Sequence, residues 1–209
     1  TDFYQNGIVT SLHNVTARHI ADLENDLVKF SQARPLGLLL PSLDSELEGD
    51  AMPKILKHIK TVPYLSEIVI GLDRADEEQY RKALEFFSPL PQHHRILWND
   101  GPRLKALDAE LAEHGLAPKE MGKGRNVWYC MGYILASNKS KAIALHDCDI
   151  LTYDSELLAR LIYPVANPQF NYRFCKGYYA RVAGGKLNGR VSRLLIHHTG
   201  WQSTTNVAF

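Results

Sequence analysis

Apolar and polar residues form blocks along the chain that predict strands separated by helices. The continuous apolar run at residues 36–40 (LGLLL), bounded by Pro35 and Pro41, is typical of a strand buried on both faces. Further runs of this kind are Glu67 to Leu72 (EIVIGL), Arg95 to Trp98 (RILW) and Lys141 to Leu145 (KAIAL). Residues 7–12 and 172–182 have a weaker strand-like pattern, so the chain offers several strands for one sheet.

Between these runs, apolar residues recur at intervals of three and four, which predicts helices with one buried side. The predicted helices cover residues 16–30, 51–59, 76–87, 103–114 and 126–136. Strands that alternate with helices favour a mainly parallel sheet with helices on both faces, so we predict the α/β class. No repeat or linker divides the chain, and we treat residues 1–209 as a single domain. Ligands of such sheets bind beyond the carboxyl ends of the strands.

Composition argues against several other classes of protein. The 209 residues carry 24 basic and 23 acidic side chains, a net charge of +1 that disfavours a nucleic-acid partner. No apolar run approaches the ~20 residues of a membrane span, and the first residues do not resemble a secretory signal. The three cysteines form no C-x-x-C pair, so neither zinc nor disulfides are indicated, and we expect a cytoplasmic protein.

The strongest candidate for chemistry is the acidic pair Asp147 and Asp149, which directly follows the strand run that ends at Leu145. In an extended segment, residues two apart point to the same side, so both carboxylates could hold one hard cation such as Mg²⁺ or Mn²⁺. Such an ion neutralises the negative charge that builds up on a leaving diphosphate. Cys148 would face the other way into the core, and His146 would point away from the pair. The alternative is that the two acidic residues cap the next helix.

Three other segments that follow strands could contact a nucleotide. Gly122-Lys123-Gly124 precedes a predicted helix and combines close backbone approach, a helix N-terminus and a lysine charge, although a flexible turn has the same composition. Residues 41–46 (PSLDSE) could hold a nucleoside or form a capped loop. Asp73 could accept a hydrogen bond from a base N–H or a ribose hydroxyl, or begin a turn.

A glycine-rich segment near the end of the chain is a candidate for binding a second substrate. Residues 184–192 (GGKLNGRVS) place Arg190 and Ser192 at a predicted helix start. Arginine is suited to bidentate binding of phosphate or carboxylate, which suggests a small anionic acceptor. A surface loop without a ligand is the alternative.

Taken in order, these segments resemble those of glucosyl-3-phosphoglycerate synthases and related retaining glycosyltransferases of the GT-A fold, a Rossmann-like fold that binds nucleotide-sugars. No single motif is specific, but the ordered set spans most of the chain. The matching pieces are P-x-L-x-x-E (Pro41, Leu43, Glu46), G-K-G (residues 122–124), D-x-D-I (Asp147, Asp149, Ile150) and G-R-V-S (Gly189, Arg190, Val191, Ser192).

The resemblance implies a role for each of these residues. The residues expected to bind the nucleotide-sugar are Pro41, Leu43, Glu46, Asp73, Lys123, Asp147 and Cys148, with Glu46 at the nucleoside and Asp73 near the base. Asp147 and Asp149 would hold Mg²⁺ or Mn²⁺ and form the catalytic set together with Lys123 at the pyrophosphate. Gly189, Arg190 and Ser192 would grip the phosphate or carboxylate of 3-phosphoglycerate.

The implied activity is metal-dependent transfer of glucose from UDP-glucose to 3-phosphoglycerate or a similar small anionic acceptor, with retention of configuration. Enzymes of this kind are often homodimers. They also continue beyond the G-R-V-S segment with an acidic residue for the donor sugar and a histidine for the metal, and we expect this C-terminal part of the fold to be missing here. The alternatives are another donor (GDP-mannose or ADP-glucose), glycerate as acceptor, a sugar-nucleotide nucleotidyltransferase, or a non-catalytic nucleotide-binding module.

Overall fold

A computed structural model describes residues 18–170 and 172–177, together with the backbone of three short strands at 182–183, 186–187 and 206–208. The helices in these parts of the chain are α1 (Ile20–Ala33), α2 (Asp44–Leu47), α3 (Ala51–Ile59), α4 (Glu77–Phe87), α5 (Pro102–Glu113), α6 (Lys123–Ser137) and α7 (Ser155–Ala166). The strands are β1 (Leu36–Leu43), β2 (Leu65–Asp73), β3 (His94–Trp98), β4 (Ala142–Leu145), β5 (Phe174–Cys175), β6 (Val182–Ala183), β7 (Lys186–Leu187) and β8 (Asn206–Ala208).

Six of the strands form one sheet in the order β3-β2-β1-β4-β8-β5, and each neighbouring pair is parallel. Strands β6 and β7 form a separate antiparallel pair. The predicted α/β class with a parallel central sheet is therefore confirmed. Among the described residues, no helix combines the length and apolar character needed to span a membrane.

The sheet is buried on both faces because its apolar side chains alternate between two cores. Leu38, Ile68 and Ala144 point to the larger core, which contains side chains of α1, α3, α4 and α7. Leu39 and Val69 point to the opposite core, which is formed mainly by α6. The continuous apolar runs of β1, β2 and β4 thus have the composition expected of strands covered on both sides.

Two predicted boundaries near the carboxyl edge of the sheet are wrong. Pro41 does not end β1, because the strand continues to Leu43 and pairs with β2 over residues 71–73. The segment 122–124 is not a loop ahead of a helix, because α6 already begins at Lys123 and Gly122 supplies the preceding turn with a φ of 130°. Of the predicted strand at 172–182, Phe174–Cys175 and Val182 are strand residues, and residues 7–12 lie outside the described part of the chain.

The chain reverses its winding direction at β1, because β2 and β3 lie on one side of this strand and β4 on the other. Strand β1 pairs with β4 only as far as Leu39, whose carbonyl oxygen accepts from the His146 N–H at 3.1 Å. Beyond this bond, β1 continues to Leu43 with β2 as its only strand partner among the described residues. A gap therefore opens between β1 and β4 at the carboxyl edge, the place where open parallel sheets bind ligands.

Candidate nucleotide and cation site

The gap between β1 and β4 is flanked by two oppositely charged residues that the sequence analysis assigned to catalysis. Asp147 follows the end of β4, and Lys123 is the first residue of α6. Helix α6 joins the parallel strands β3 and β4, so it runs antiparallel to them and its N-terminus lies at the carboxyl edge. The Lys123 ammonium donates to Asp147 Oδ1, and the two side chains are 53% and 45% exposed. The structure thus brings together residues that are 24 positions apart in the sequence.

The segment that carries Asp147 and Asp149 differs from the extended conformation predicted for it. Cys148 and Asp149 form a turn after β4, so alternation along a strand does not set the direction of their side chains. Asp149 is exposed. Cys148 is only 1% exposed, and burial raises the pKa of its thiol. Cys148 therefore packs inward as expected, and of the predicted nucleotide contacts it could supply only its backbone.

The alternative explanation for the acidic pair, a helix cap, is not observed. The N-cap of α7 is Asp154, whose Oδ1 accepts from the Leu157 N–H at 2.8 Å. Asp147 and Asp149 are therefore left without a role in starting that helix. Within the described residues, no three His, Cys, Asp or Glu side chains gather into a metal-binding group, so two carboxylates are the most that this part of the chain brings to a cation.

His146, the residue that precedes Asp147, is buried in the core at the start of this turn. Its side chain is 3% exposed, its Nδ1 lies 3.1 Å from the Tyr153 hydroxyl, and its Nε2 has no hydrogen-bond partner. Burial lowers the pKa of the imidazole to about 4, so the ring is neutral at physiological pH. The prediction that His146 points away from the acidic pair is confirmed, and the ring anchors the backbone that carries Asp147.

The segment that follows β1 forms a short capped helix. Pro41 and Leu43 belong to the strand, and Glu46 Oε2 accepts from the Leu43 N–H at 2.8 Å at the start of α2. The Glu46 carboxylate is therefore partly occupied by the backbone of its own segment, which corresponds to the capped-loop alternative. Its position beside the gap leaves a contact with a nucleoside as a prediction.

Asp73 lies at the end of β2 and is almost fully buried, with 3% of its surface exposed. Its Oδ1 accepts from Asn99 Nδ2 at 3.2 Å and lies 3.8 Å from Arg125 Nη2. Asn99 is held in place by its own backbone N–H, which donates to the Leu72 carbonyl oxygen at 2.9 Å. Asn99 and Arg125 therefore lie against the Asp73 carboxylate, and Asn99 is as deeply buried as Asp73, with 3% of its surface exposed.

A cavity of about 200 Å³ adjoins this buried cluster. It is lined by Asn99, Asp100, Leu104, Lys105, Asp108, Met121, Arg125 and Tyr129. Asn99 and Asp100 directly follow β3, whereas no local sequence pattern marks Arg125 or Tyr129 as a ligand contact. The signal that could have found Arg125 is its place in the first turn of α6, two residues after Lys123.

The predicted acceptor-binding residues Gly189, Arg190 and Ser192 lie outside the described residues. The predicted nucleotide-binding residues on β1, β2, α6 and the turn after β4 all lie at the carboxyl edge of the sheet, as the topology requires. The geometry therefore places a paired lysine and carboxylate at the gap and a separate cavity near the ends of β2 and β3.

Comparisons with known proteins give two curated relatives. A glucosyl-3-phosphoglycerate synthase from Persephonella marina is 49% identical over 193 residues, which cover 92% of this chain and 48% of the relative. A glucosyl-3-phosphoglycerate synthase from Methanococcoides burtonii is 36% identical over 198 residues, which cover 93% of this chain and 48% of the relative. The chain thus spans about half the length of the curated relatives it matches.

No family model matches the chain. Among solved structures, the crystal structure of 4-diphosphocytidyl-2C-methyl-D-erythritol synthase is similar with a TM-score of 0.33 and 18% identity, covering 75% of this chain and 67% of that one.

Proposed function

We propose that this homologue of glucosyl-3-phosphoglycerate synthases acts in the metal-dependent transfer of glucose from UDP-glucose to 3-phosphoglycerate, with retention of configuration. The observation that carries the proposal is the Lys123–Asp147 ion pair at the point where the sheet reverses its winding direction. A lysine at a helix N-terminus and a carboxylate across a gap are the groups needed to hold a pyrophosphate and its cation.

The residues present suit Mg²⁺ or Mn²⁺. Asp147 and Asp149 provide the carboxylate oxygens that these ions prefer, and the Lys123 ammonium on Asp147 Oδ1 shows that this oxygen already attracts positive charge. Bound there, the ion would neutralise charge on the departing UDP as a Lewis acid. The further ligands would come from the diphosphate, from water or from residues outside the described part of the chain.

The side chains of the site would then act by position and charge. Lys123 and the N-terminus of α6 would bind the pyrophosphate and stabilise negative charge as UDP leaves. Pro41, Leu43, Glu46 and the backbone of Cys148 would shape the nucleoside side of the gap, while Gly189, Arg190 and Ser192 would bind the phosphate or carboxylate of the acceptor. Holding donor and acceptor side by side supplies much of the remaining rate enhancement.

Binding of nucleoside diphosphates with and without Mn²⁺, followed by thermal shift and titration calorimetry, tests this proposal. We expect UDP to stabilise the protein in a Mn²⁺-dependent way and Asp147→Asn to abolish that dependence. Asp22→Asn, at an exposed acidic position on α1, is the matched control and should leave binding unchanged. If both Asp147→Asn and Asp149→Asn keep the full Mn²⁺ dependence of UDP binding, the proposed metal role of these carboxylates is wrong.

The products formed from UDP-glucose separate the transferase from its alternatives. Release of UDP that requires 3-phosphoglycerate supports transfer, whereas UTP formed from UDP-glucose and pyrophosphate indicates a nucleotidyltransferase. Arg190→Ala should mainly raise the acceptor KM, and an unchanged dependence on 3-phosphoglycerate would remove Arg190 from the acceptor site. UDP binding without turnover under all conditions would favour a binding module.

A further inference from the structure

The first turn of α6 contacts two parts of the sheet edge. Lys123 pairs with Asp147 after β4, whereas Arg125 lies 3.8 Å from Asp73 at the end of β2. Strand β1 lies between these two positions, which places them two strand spacings apart, or roughly 10 Å. A nucleoside diphosphate with its phosphates at Lys123 would reach Arg125 and the cavity beside it if it extended along this edge.

The lining of this cavity suits a flat, polar-edged ring. Leu104 and Met121 provide apolar surface for the faces of a ring, while Asn99 and Arg125 provide hydrogen-bonding groups for its edge. Sites for small molecules commonly combine apolar walls with a few convergent polar groups in this way. A nucleobase has these properties.

The hydrogen bonds at Asn99 determine which of its side-chain atoms is free. A carboxylate only accepts hydrogen bonds, so the Asn99 atom that faces Asp73 Oδ1 at 3.2 Å must be the Nδ2 amide. Asn99 Oδ1 is therefore directed elsewhere. This oxygen is buried and has no hydrogen-bond partner in the structure.

Arg125, which contacts the same carboxylate, has a donor without a partner. Its side chain is 10% exposed, its Nη2 faces the same Asp73 oxygen, and its Nε is buried without a partner. A buried polar atom that lacks a partner costs about 1–3 kcal/mol, and such atoms in native proteins call for an explanation. Two such atoms, one acceptor and one donor, belong to side chains that contact the same carboxylate and that both line one cavity.

We propose that Asn99 and Arg125 select the base of the nucleotide donor by binding a carbonyl group next to a ring N–H, the edge found in uracil and guanine. Asn99 Oδ1 accepts from the ring N–H, and Arg125 Nε donates to the adjacent carbonyl oxygen. Cytosine and adenine present an amino group beside an unprotonated ring nitrogen. The amino donor would then face the Arg125 Nε donor, and the ring nitrogen, an acceptor, would face the Asn99 Oδ1 acceptor. This inference rests on the proposed function, because it requires that the chain binds a nucleoside diphosphate.

Calorimetric titration with UDP and CDP in the presence of Mn²⁺ tests the proposal, because these two nucleotides differ only at the edge concerned. We expect UDP to bind at least about tenfold more tightly than CDP, since an unpaired buried group costs about 1–3 kcal/mol and 1.4 kcal/mol corresponds to a factor of ten. GDP and ADP should show the same order. Equal affinity for UDP and CDP, or tighter binding of CDP, overturns the proposal without any variant.

Variants then assign the selection to these residues. Asn99→Leu and Arg125→Met should bring the UDP to CDP affinity ratio close to one, chiefly by weakening UDP. Lys105→Met is the matched control, because it changes the charge of the same cavity but not the paired donor and acceptor, and it should leave the ratio unchanged. An unchanged ratio in Asn99→Leu also overturns the proposal.

The outcomes distinguish this inference from the proposed function. If UDP binds in a Mn²⁺-dependent manner but without preference over CDP, base selection by Asn99 and Arg125 fails and the transferase proposal stands. If no nucleoside diphosphate binds with or without Mn²⁺, both fail.

Discussion

Strand β2 carries a buried carboxylate near each of its ends, and side chains of helix α6 contact both carboxylates. At the amino end, Glu67 is fully buried and its Oε1 accepts from the Ser140 hydroxyl at 2.7 Å. The hydroxyl of Ser137, the last residue of α6, lies 3.2 and 3.1 Å from the two Glu67 oxygens. At the carboxyl end, Asp73 shares one oxygen between Asn99 at 3.2 Å and Arg125 at 3.8 Å.

The two ends differ in how completely their polar groups are paired. Both Glu67 oxygens have hydroxyl donors, as expected of a carboxylate that serves to hold a helix on a sheet. Around Asp73, Asn99 Oδ1 and Arg125 Nε remain unpaired in the wall of a cavity. One strand thus shows two uses of a buried carboxylate, a completed structural contact and an incomplete one that leaves bonds for a ligand.

The largest effect expected from this comparison is the loss of stability in Glu67→Ala. The change removes the carboxylate that accepts from the Ser137 and Ser140 hydroxyls and opens a cavity between β2 and α6, so the free energy of unfolding should fall by about 4 kcal/mol. UDP affinity should not change, because the contact lies at the opposite end of the sheet. Urea denaturation together with UDP titration checks both parts, and Glu85→Ala on the exposed side of α4 serves as control.

The next effect concerns His146, a buried ionisable group at the carboxyl edge with an unpaired Nε2. Its pKa of about 4 in the folded protein lies below the 6.5 of the unfolded chain, so only the unfolded state takes up a proton between these values. The free energy of unfolding should therefore fall by up to about 3 kcal/mol as the pH drops through this range. Denaturation series at several pH values should show that the free energy of unfolding depends less steeply on pH in His146→Phe than in the unaltered protein. The same pH dependence in both would contradict the buried neutral ring.

A matched pair of substitutions compares the two carboxylates directly. Asp73→Asn should lower the free energy of unfolding by about 1 kcal/mol, because Asn99 keeps an acceptor, and Glu67→Gln should lower it more. In contrast, Asp73→Asn should weaken UDP binding about tenfold, since it removes the negative charge that holds Arg125 in place. If Glu67→Gln affects UDP binding more than Asp73→Asn does, the assignment of a structural role to Glu67 and a ligand-binding role to the Asp73 cluster is wrong.

The smallest stability effect belongs to the exposed carboxylate at the gap. Asp147→Asn should change the free energy of unfolding by less than about 1 kcal/mol, because an exposed ion pair contributes little. The same variant should lose the Mn²⁺ dependence of UDP binding. Thermal denaturation without ligand checks the first expectation, and a large loss of stability would mean that the Lys123–Asp147 pair is mainly structural.

Most of the fold could be predicted from the sequence because its strands are buried on both faces. Strands β1, β2, β3 and β4 stand out in the sequence as short apolar blocks, because strands covered on both faces have few positions for polar residues. The errors fall where the chain leaves the sheet. The sequence predicts a strand end at Pro41, although its missing N–H is tolerated there, and an extended segment at Asp149, although the chain turns at Cys148.

The candidate site could be predicted only where a charged residue stands next to the predicted end of a strand or start of a helix. Asp147 and Lys123 were assigned to one pyrophosphate from their chemistry, and the structure shows them in contact. The cluster of Asp73, Asn99 and Arg125 could not be predicted, because its members come from β2, the segment after β3 and α6. Their meeting depends on the order of the strands and on the direction of α6, which no local pattern contains.

The position of Pro41 has a consequence for strand pairing at the open end of β1. Alternate residues of a strand direct their backbone groups to the same side, so Pro41 faces the gap next to Leu39, whose carbonyl bonds to His146. An open stretch of strand with free N–H groups is a template for adding a further peptide chain, which leads to aggregation. Proline removes the donor that an incoming strand would need at this point. The gap can therefore remain open to small molecules while offering a poor edge for unwanted strand pairing.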